Sequence, residues 1–167
     1  MKDNLLILGA GAYGRVAKEI ALSTNRFKKI DFLDDANTCA IGKFDDYVTL
    51  AKTYPCAVVA VGNPKLRLEY IEKLLKVGYN VVNLFSPQAY VSPSAQVGKG
   101  CIVEPMAVVN ANTELGMGVI VCAGAVVNHD CIVGDGCQFD CGSVIAARAV
   151  VPRITKLENN AVYYPTQ

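Results

Sequence analysis

The chain contains one histidine, His129, and an acidic residue, Asp130, follows it directly. An imidazole titrates near neutral pH, so its free nitrogen can take a proton from an amine or hydroxyl as that group attacks an electrophile. A second grouping lies at the N-terminus, where Gly9-Ala-Gly11-Ala-Tyr13-Gly14 spells GxGxxG. Glycines there let the backbone approach a phosphate, and a helix starting behind them offers unpaired N–H groups to it. Asp34 and Asp35 follow twenty residues beyond Gly14. Carboxylates at such a place can accept hydrogen bonds from a ribose or a base.

These groups need elements to hold them. Residues 4–8 are a nearly continuous apolar run suited to a buried parallel strand, and residues 15–22 have helical spacing. A second strand is expected over residues 30–33, ending at Asp34, and a third over 56–61, closing with Gly62 and Asn63. Pro64 then suits the first turn of a helix that runs to about Val77 and stops at Gly78. A fourth strand is expected over 81–84. Strands alternating with helices imply a parallel α/β sheet in residues 1–84. That length holds about half of a six-stranded dinucleotide fold, which counts against a nicotinamide oxidoreductase.

Residues 85–162 follow a different rule. Written in sixes they make thirteen blocks without a gap. Every first position, from Phe85, Val91 and Val97 to Leu157, is large and apolar, and every fifth, including Cys101, Cys131 and Cys137, is Val-sized or smaller. Second positions favour Gly, Asn, Asp, Glu and Ser. Neither a 3.6-residue nor a two-residue period fits this phase. One short strand per block, with one bulky and one small inward residue, builds one wall of a β-helix. Three walls make a coil of 18 residues, so the repeat supplies about 4.3 coils. Eighteen residues beyond His129 is Ala147, which is expected directly above it. Cys122 and Cys141 lie outside the small slot and have no evident role.

Composition narrows the classes further. The 167 residues are 52% hydrophobic and 19% charged, enough apolar surface for a core. The net charge of +1 divides into 12 basic and 9 acidic residues before position 85 and 4 and 6 after it, which argues against nucleic acid as a partner. No apolar run approaches a membrane span, and no secretory leader is evident. Seven cysteines without a CxxC pair, beside one histidine, argue against structural zinc and for reduced thiols in the cytoplasm.

The repeat resembles that of hexapeptide-repeat acyltransferases. The whole chain more specifically resembles the sialic acid O-acetyltransferases and UDP-amino-sugar N-acetyltransferases. The resemblance is carried by Gly9 to Gly14, Asp34-Asp35, Val61-Gly62-Asn63 with Arg67, Val82-Asn83-Leu84, Val91-Ser-Pro-Ser-Ala95 and Val127-Asn-His-Asp-Cys131. It implies an α/β Rossmann-like domain (1–84) that binds a nucleotide sugar, followed by an all-β left-handed parallel β-helix (85–167) that carries the acyltransferase site. By the same resemblance His129 is the general base, Asp130 orients it, and the Ala147 amide donates to the thioester oxyanion. Gly11, Tyr13, Gly14, Asp34, Asp35, Gly62 and Asn63 would hold a sugar nucleotide, and acetyl-CoA would be the co-substrate, bound between subunits of a homotrimer. The implied reaction acetylates an amino sugar nucleotide or sialic acid in bacterial surface-glycan synthesis.

There are departures from the family pattern. Tyr13 stands where some relatives have His, and Cys122 where Asn is frequent. Only five blocks follow residues 127–132, which leaves a short acetyl-CoA groove, with residues 163–167 expected to fold over the last coil as a cap. That short end motivates a second reading, a non-catalytic trimeric nucleotide-sugar-binding scaffold that has lost the CoA site.

Overall fold

The computed structural model describes residues 2–165; Met1, Thr166 and Gln167 lie outside the described residues. The chain divides into two compact units, Met1–Leu84 and Phe85–Gln167.

The first unit contains β1 (Asp3–Leu8), α1 (Ala12–Ser23), β2 (Phe27–Leu33), α2 (Tyr47–Leu50), β3 (Cys56–Val59), α3 (Pro64–Val77) and β4 (Asn80–Val81). The four strands are parallel in the order β2-β1-β3-β4. Leu5 to Leu8 are fully buried, as a central strand covered on both faces requires. β2 starts before the apolar run because it is an edge strand, and its first half exposes Lys28 and Lys29 to water. α3 has the expected limits. The Asn63 side chain caps it by accepting from the Leu66 amide at 3.1 Å, and Gly78 ends it at φ 93°. The strand expected over 81–84 is two strands: β4 belongs to this sheet, whereas Leu84–Phe85 opens the first wall of the β-helix.

In the second unit, two-residue strands stack into three parallel walls. One runs from Leu84–Phe85 to Lys156–Leu157, a second from Tyr90–Val91 to Val162–Tyr163, and a third from Gln96–Val97 to Val150–Val151. Partners are eighteen residues apart, as in Val108, Val126 and Val144. The second residue of each strand is the first position of its block and points inward, so Val103 and Val121 on the first wall and Val109, Val127 and Ile145 on the second form fully buried columns beside the small fifth positions. The thiols of Cys101, Cys131 and Cys137 fill that slot and donate to carbonyls of Gly116, Ala146 and Pro152 at 3.1, 3.2 and 3.1 Å. The expected C-terminal cap begins differently: Tyr163 continues the second wall beside Ile145, and its ring packs against the core. The end of that expected cap, Thr166 and Gln167, lies outside the described residues.

From the third block on, each block turns through a corner whose fourth position is left-handed. From Gly100 to Asn160 every fourth position has φ between 57° and 72°. Glycine, Asn or Asp fills most of these sites at little cost, but Met106, Arg148 and Ile154 do not suit them. Met106 is exposed and anchored by little. Met106→Gly is therefore expected to stabilise the β-helix by about 0.5–1 kcal/mol, the relief of the left-handed penalty less the added unfolded-chain entropy. The check is the urea midpoint at unchanged m-value, and a lower midpoint would contradict the corner argument.

Candidate functional site

In the first unit the strand order reverses between β1 and β3, and open parallel sheets bind ligands beyond the strand ends at such a point. A cavity of about 360 Å³ lies there, lined by Gly9, Gly11, Tyr13, Asp34, Phe44 and Gly62 among others. A second, of about 410 Å³, shares Gly11 and Asp34 and adds Ala36, Asn37 and Thr38.

The two outer glycines of the motif's GxG…G frame do different work from the middle one. A Cβ on Gly14 would stand 2.0 Å from the Gly9 carbonyl oxygen, so Gly14 is needed for helix–strand packing and is buried. Around Gly11, which caps α1, an added Cβ meets nothing within 4 Å, so the room there is open to a ligand.

Asp34 lines both cavities, and its carboxylate is also engaged within the protein. Its carboxylate accepts from the amides of Ala10 (2.7 Å), Ala36 (3.0 Å) and Asn37 (2.9 Å). These bonds, that of Ala10 foremost, hold its carboxyl below the usual carboxylate range. Asp34 thus organises the loop that walls the cavity, with little capacity left for a ribose. Asp35 accepts from the Phe44 amide at 3.0 Å and ties down the segment that precedes α2. Arg67 is fully buried and donates to the carbonyls of Val61 (2.6 Å) and Gly62 (3.2 Å), fixing the loop on the opposite side. Asn63 is used as the cap of α3, and Gly62 faces the cavity. Asn37 was not legible as a site residue; its amide donates to the Ala10 carbonyl at 2.9 Å and its position depends on the fold of the loop.

In the second unit His129 and Asp130 occupy the corner that leaves the second wall after Val126–Val127. His129 Nδ1 lies 2.7 Å from Asp130 Oδ2, and both side chains are 45% exposed, so a substrate can reach them. A carboxylate only accepts, so Nδ1 carries the proton of this contact, and in the neutral ring the lone pair is on Nε2. The hydrogen bonds from His129 and from Asn112 hold the Asp130 carboxyl below its ordinary range, which keeps it an acceptor at neutral pH. Asn128 fixes the backbone from within: its Oδ1 accepts the His129 amide at 2.8 Å and the Asn110 side chain at 3.4 Å. Sequence reading missed Asn110 and Asn112, although both lie eighteen residues before residues of this corner.

The next coil places Ala147 above His129, as the period predicts. Asn128 N bonds Ile145 O at 3.1 Å, and Arg148 N bonds His129 O at 3.0 Å, so the two corners are stacked. Among the described residues no acceptor takes the Ala147 amide. Cys122 is buried, and burial, reinforced by the Glu104 and Asp140 carboxylates, pushes its thiol up. It is therefore protonated at neutral pH and unsuited to act as a nucleophile.

Comparison with known proteins agrees with this layout. Residues 4–74 match the family model of the PglD N-terminal domain. The fold is similar to the acetyltransferase domain of PglB from Neisseria gonorrhoeae FA1090 in complex with acetyl coenzyme A, at 28% identity and TM-score 0.82, over 99% of this chain and 86% of that one. Another structure of that domain matches with TM-score 0.87 at 28% identity, over 97% and 91%. A variant of perosamine N-acetyltransferase from Caulobacter crescentus, in complex with CoA and GDP-perosamine, shares the fold at 23% identity and TM-score 0.76, over 95% and 90%. The chain is a hexapeptide-repeat acetyltransferase, with a Rossmann-like α/β unit followed by a left-handed parallel β-helix. Its N-terminal unit is the part that matches the PglD N-terminal domain. The matches favour the enzyme over the scaffold and the nicotinamide oxidoreductase considered above. Among the described residues no helix is long and apolar enough to cross a membrane.

Proposed function

We propose that the protein transfers an acetyl group from acetyl-CoA to the amine or hydroxyl of a sugar nucleotide, a nucleotide-linked amino sugar being favoured over free sialic acid. The observation that carries this reading is the exposed His129–Asp130 pair, with Nδ1 bound at 2.7 Å and Nε2 left basic. The substrate nitrogen attacks the thioester carbonyl carbon while Nε2 takes its proton. The Ala147 amide donates to the oxygen that gains charge. Collapse breaks the C–S bond, and the imidazolium returns the proton to the departing thiolate, giving the acetylated sugar and CoA.

The cavity at the N-terminus of α1 supports a nucleotide as the handle of the acceptor, because the positive end of a helix dipole favours a phosphate. Acetyl-CoA bound to the PglB domain and GDP-perosamine bound to the Caulobacter enzyme support the same two ligand classes here.

A homotrimer accords with the second wall. Its outward row is Tyr90, Val108, Val126, Val144 and Val162, an apolar column on which Tyr90 and Val162 are exposed. The His129 corner begins at the edge of that column, so a neighbouring chain on it would border the site. Seven free thiols suit a reducing compartment, and the reading places the reaction in the cytoplasm.

The test is to incubate the protein with acetyl-CoA and a panel of UDP- and GDP-linked amino sugars and sialic acid, following released CoA thiol and the mass of the sugar product. Thiol release that depends on one nucleotide amino sugar, with equal acetylated product, is expected. Acetylation of free sialic acid alone would overturn the acceptor assignment, and no acetylated product from any acceptor would overturn the reaction.

A further inference from the structure

We propose that Asn112 is a positioning residue for the catalytic base: from the adjacent coil, its side-chain amide holds the Asp130 carboxylate in the orientation that fixes the His129 ring. The inference rests on the reading of His129 as base and adds a residue to it.

The two oxygens of Asp130 are used separately. Oδ2 accepts from His129 Nδ1 at 2.7 Å, and Oδ1 accepts from Asn112 Nδ2 at 3.1 Å. A half-exposed carboxylate on a corner would otherwise rotate about its side-chain bonds, and the imidazole would turn with it. A second donor on the other oxygen restricts that rotation. Asn112 is itself held from the preceding coil, since its backbone amide donates to Ser94 Oγ at 3.1 Å. Asn112 and Asp130 sit at equivalent left-handed corners, with φ 57° and 58°, so the ladder Ser94–Asn112–Asp130–His129 follows from the eighteen-residue period. From the coil on the other side, the charge of Arg148 also favours the ionised form of Asp130. Arg148 and Asp130 are thus the charged groups on the stacked corners around the imidazole.

The left-handed backbone makes two substitutions informative. Asn112→Gly removes the donor in a conformation that glycine adopts freely, so folding is preserved. Asn112→Asp keeps a residue tolerated there but sets a second carboxylate against Asp130. Asn160 occupies the same kind of corner, at φ 57°, and Asn160→Gly controls for loss of an asparagine from the stack.

The experiment measures kcat, KM and the pH profile of kcat/KM for these variants and for His129→Ala. Asn112→Gly is expected to lower kcat roughly tenfold with both KM values within about twofold, while Asn160→Gly stays at the wild-type rate. In Asn112→Asp the added negative charge favours the imidazolium, so the acidic limb is expected to move to higher pH. A kcat within about twofold of wild type in Asn112→Gly, an equal loss in Asn160→Gly, or an unmoved acidic limb in Asn112→Asp would overturn the proposal. If His129→Ala also kept the wild-type rate, the base assignment itself would fall and this inference with it. Loss in His129→Ala with full activity in Asn112→Gly would remove the positioning role alone.

Discussion

Replacing His129 by alanine is expected to lower kcat for acetyl transfer by roughly 10²- to 10⁴-fold, the range a positioned general base contributes. The KM for acetyl-CoA should stay within a few-fold, because in the proposed mechanism the ring acts on the acceptor's proton. The geometry makes the loss hard to replace. His129 is the only histidine, and the buried Cys122 thiol is held protonated by its surroundings. Asp130 keeps its carboxyl ionised well into the acid range, but a carboxylate is too weak a base to stand in for imidazole. Under the proposed mechanism the acidic limb of kcat/KM should vanish with the side chain. Asp130→Asn is expected to be less severe than His129→Ala. An asparagine can present its NH2 to Nδ1 and stabilise the wrong tautomer, but the half-exposed ring can still turn to use its other nitrogen. A His129→Ala enzyme with undiminished kcat would remove the imidazole from the chemistry.

Gly14 and Gly11, in the turn before α1, are expected to fail in opposite ways. Gly14→Ala should destabilise the N-terminal unit by about 3 kcal/mol or more, because its Cβ would stand 2.0 Å from the Gly9 carbonyl oxygen. Gly9 cannot retreat: it stands at φ 107°, and its own Cβ position is 2.6 Å from the Ala60 carbonyl oxygen. For a unit of this size such a loss is a large part of the total stability. Gly11→Ala meets nothing within 4 Å and should cost at most about 1 kcal/mol, the difference between glycine and alanine as a helix cap. It should nevertheless weaken nucleotide affinity about tenfold or more, because the methyl group projects where the phosphate must approach. Thermal melting with and without nucleotide separates the two. A stable Gly14→Ala protein, or a Gly11→Ala protein with unchanged nucleotide affinity, would contradict the assignment.

The parts legible in the sequence were those set by a simple period. Burial at every sixth residue requires a large inward side chain, so the three walls and the stacking of Ala147 on His129 follow by counting. Likewise Pro64, Asn63 and Gly78 mark the ends of α3 by local chemistry alone. The left-handed corners were also written in the sequence, as glycine, Asn or Asp in the fourth place, but Met106, Arg148 and Ile154 blur that signal. The use of Asp34 was not legible. Its neighbours Ala36 and Asn37 donate to it only because the loop after β2 folds back over the strand end, and nothing periodic governs that loop. Asn112 was hidden for a different reason: its partner, Asp130, is set by stacking one coil away and not by any neighbour in the chain.

This β-helix is expected to hold an acetyl donor beside His129. Titration calorimetry of the purified protein with acetyl-CoA tests it most directly, with sedimentation run on the same sample to count the chains in the particle. The prediction is saturable binding at one site per chain, in a particle of three chains. An absence of binding up to ~1 mM acetyl-CoA, in protein that is folded and trimeric, would contradict it and favour the nucleotide-sugar scaffold.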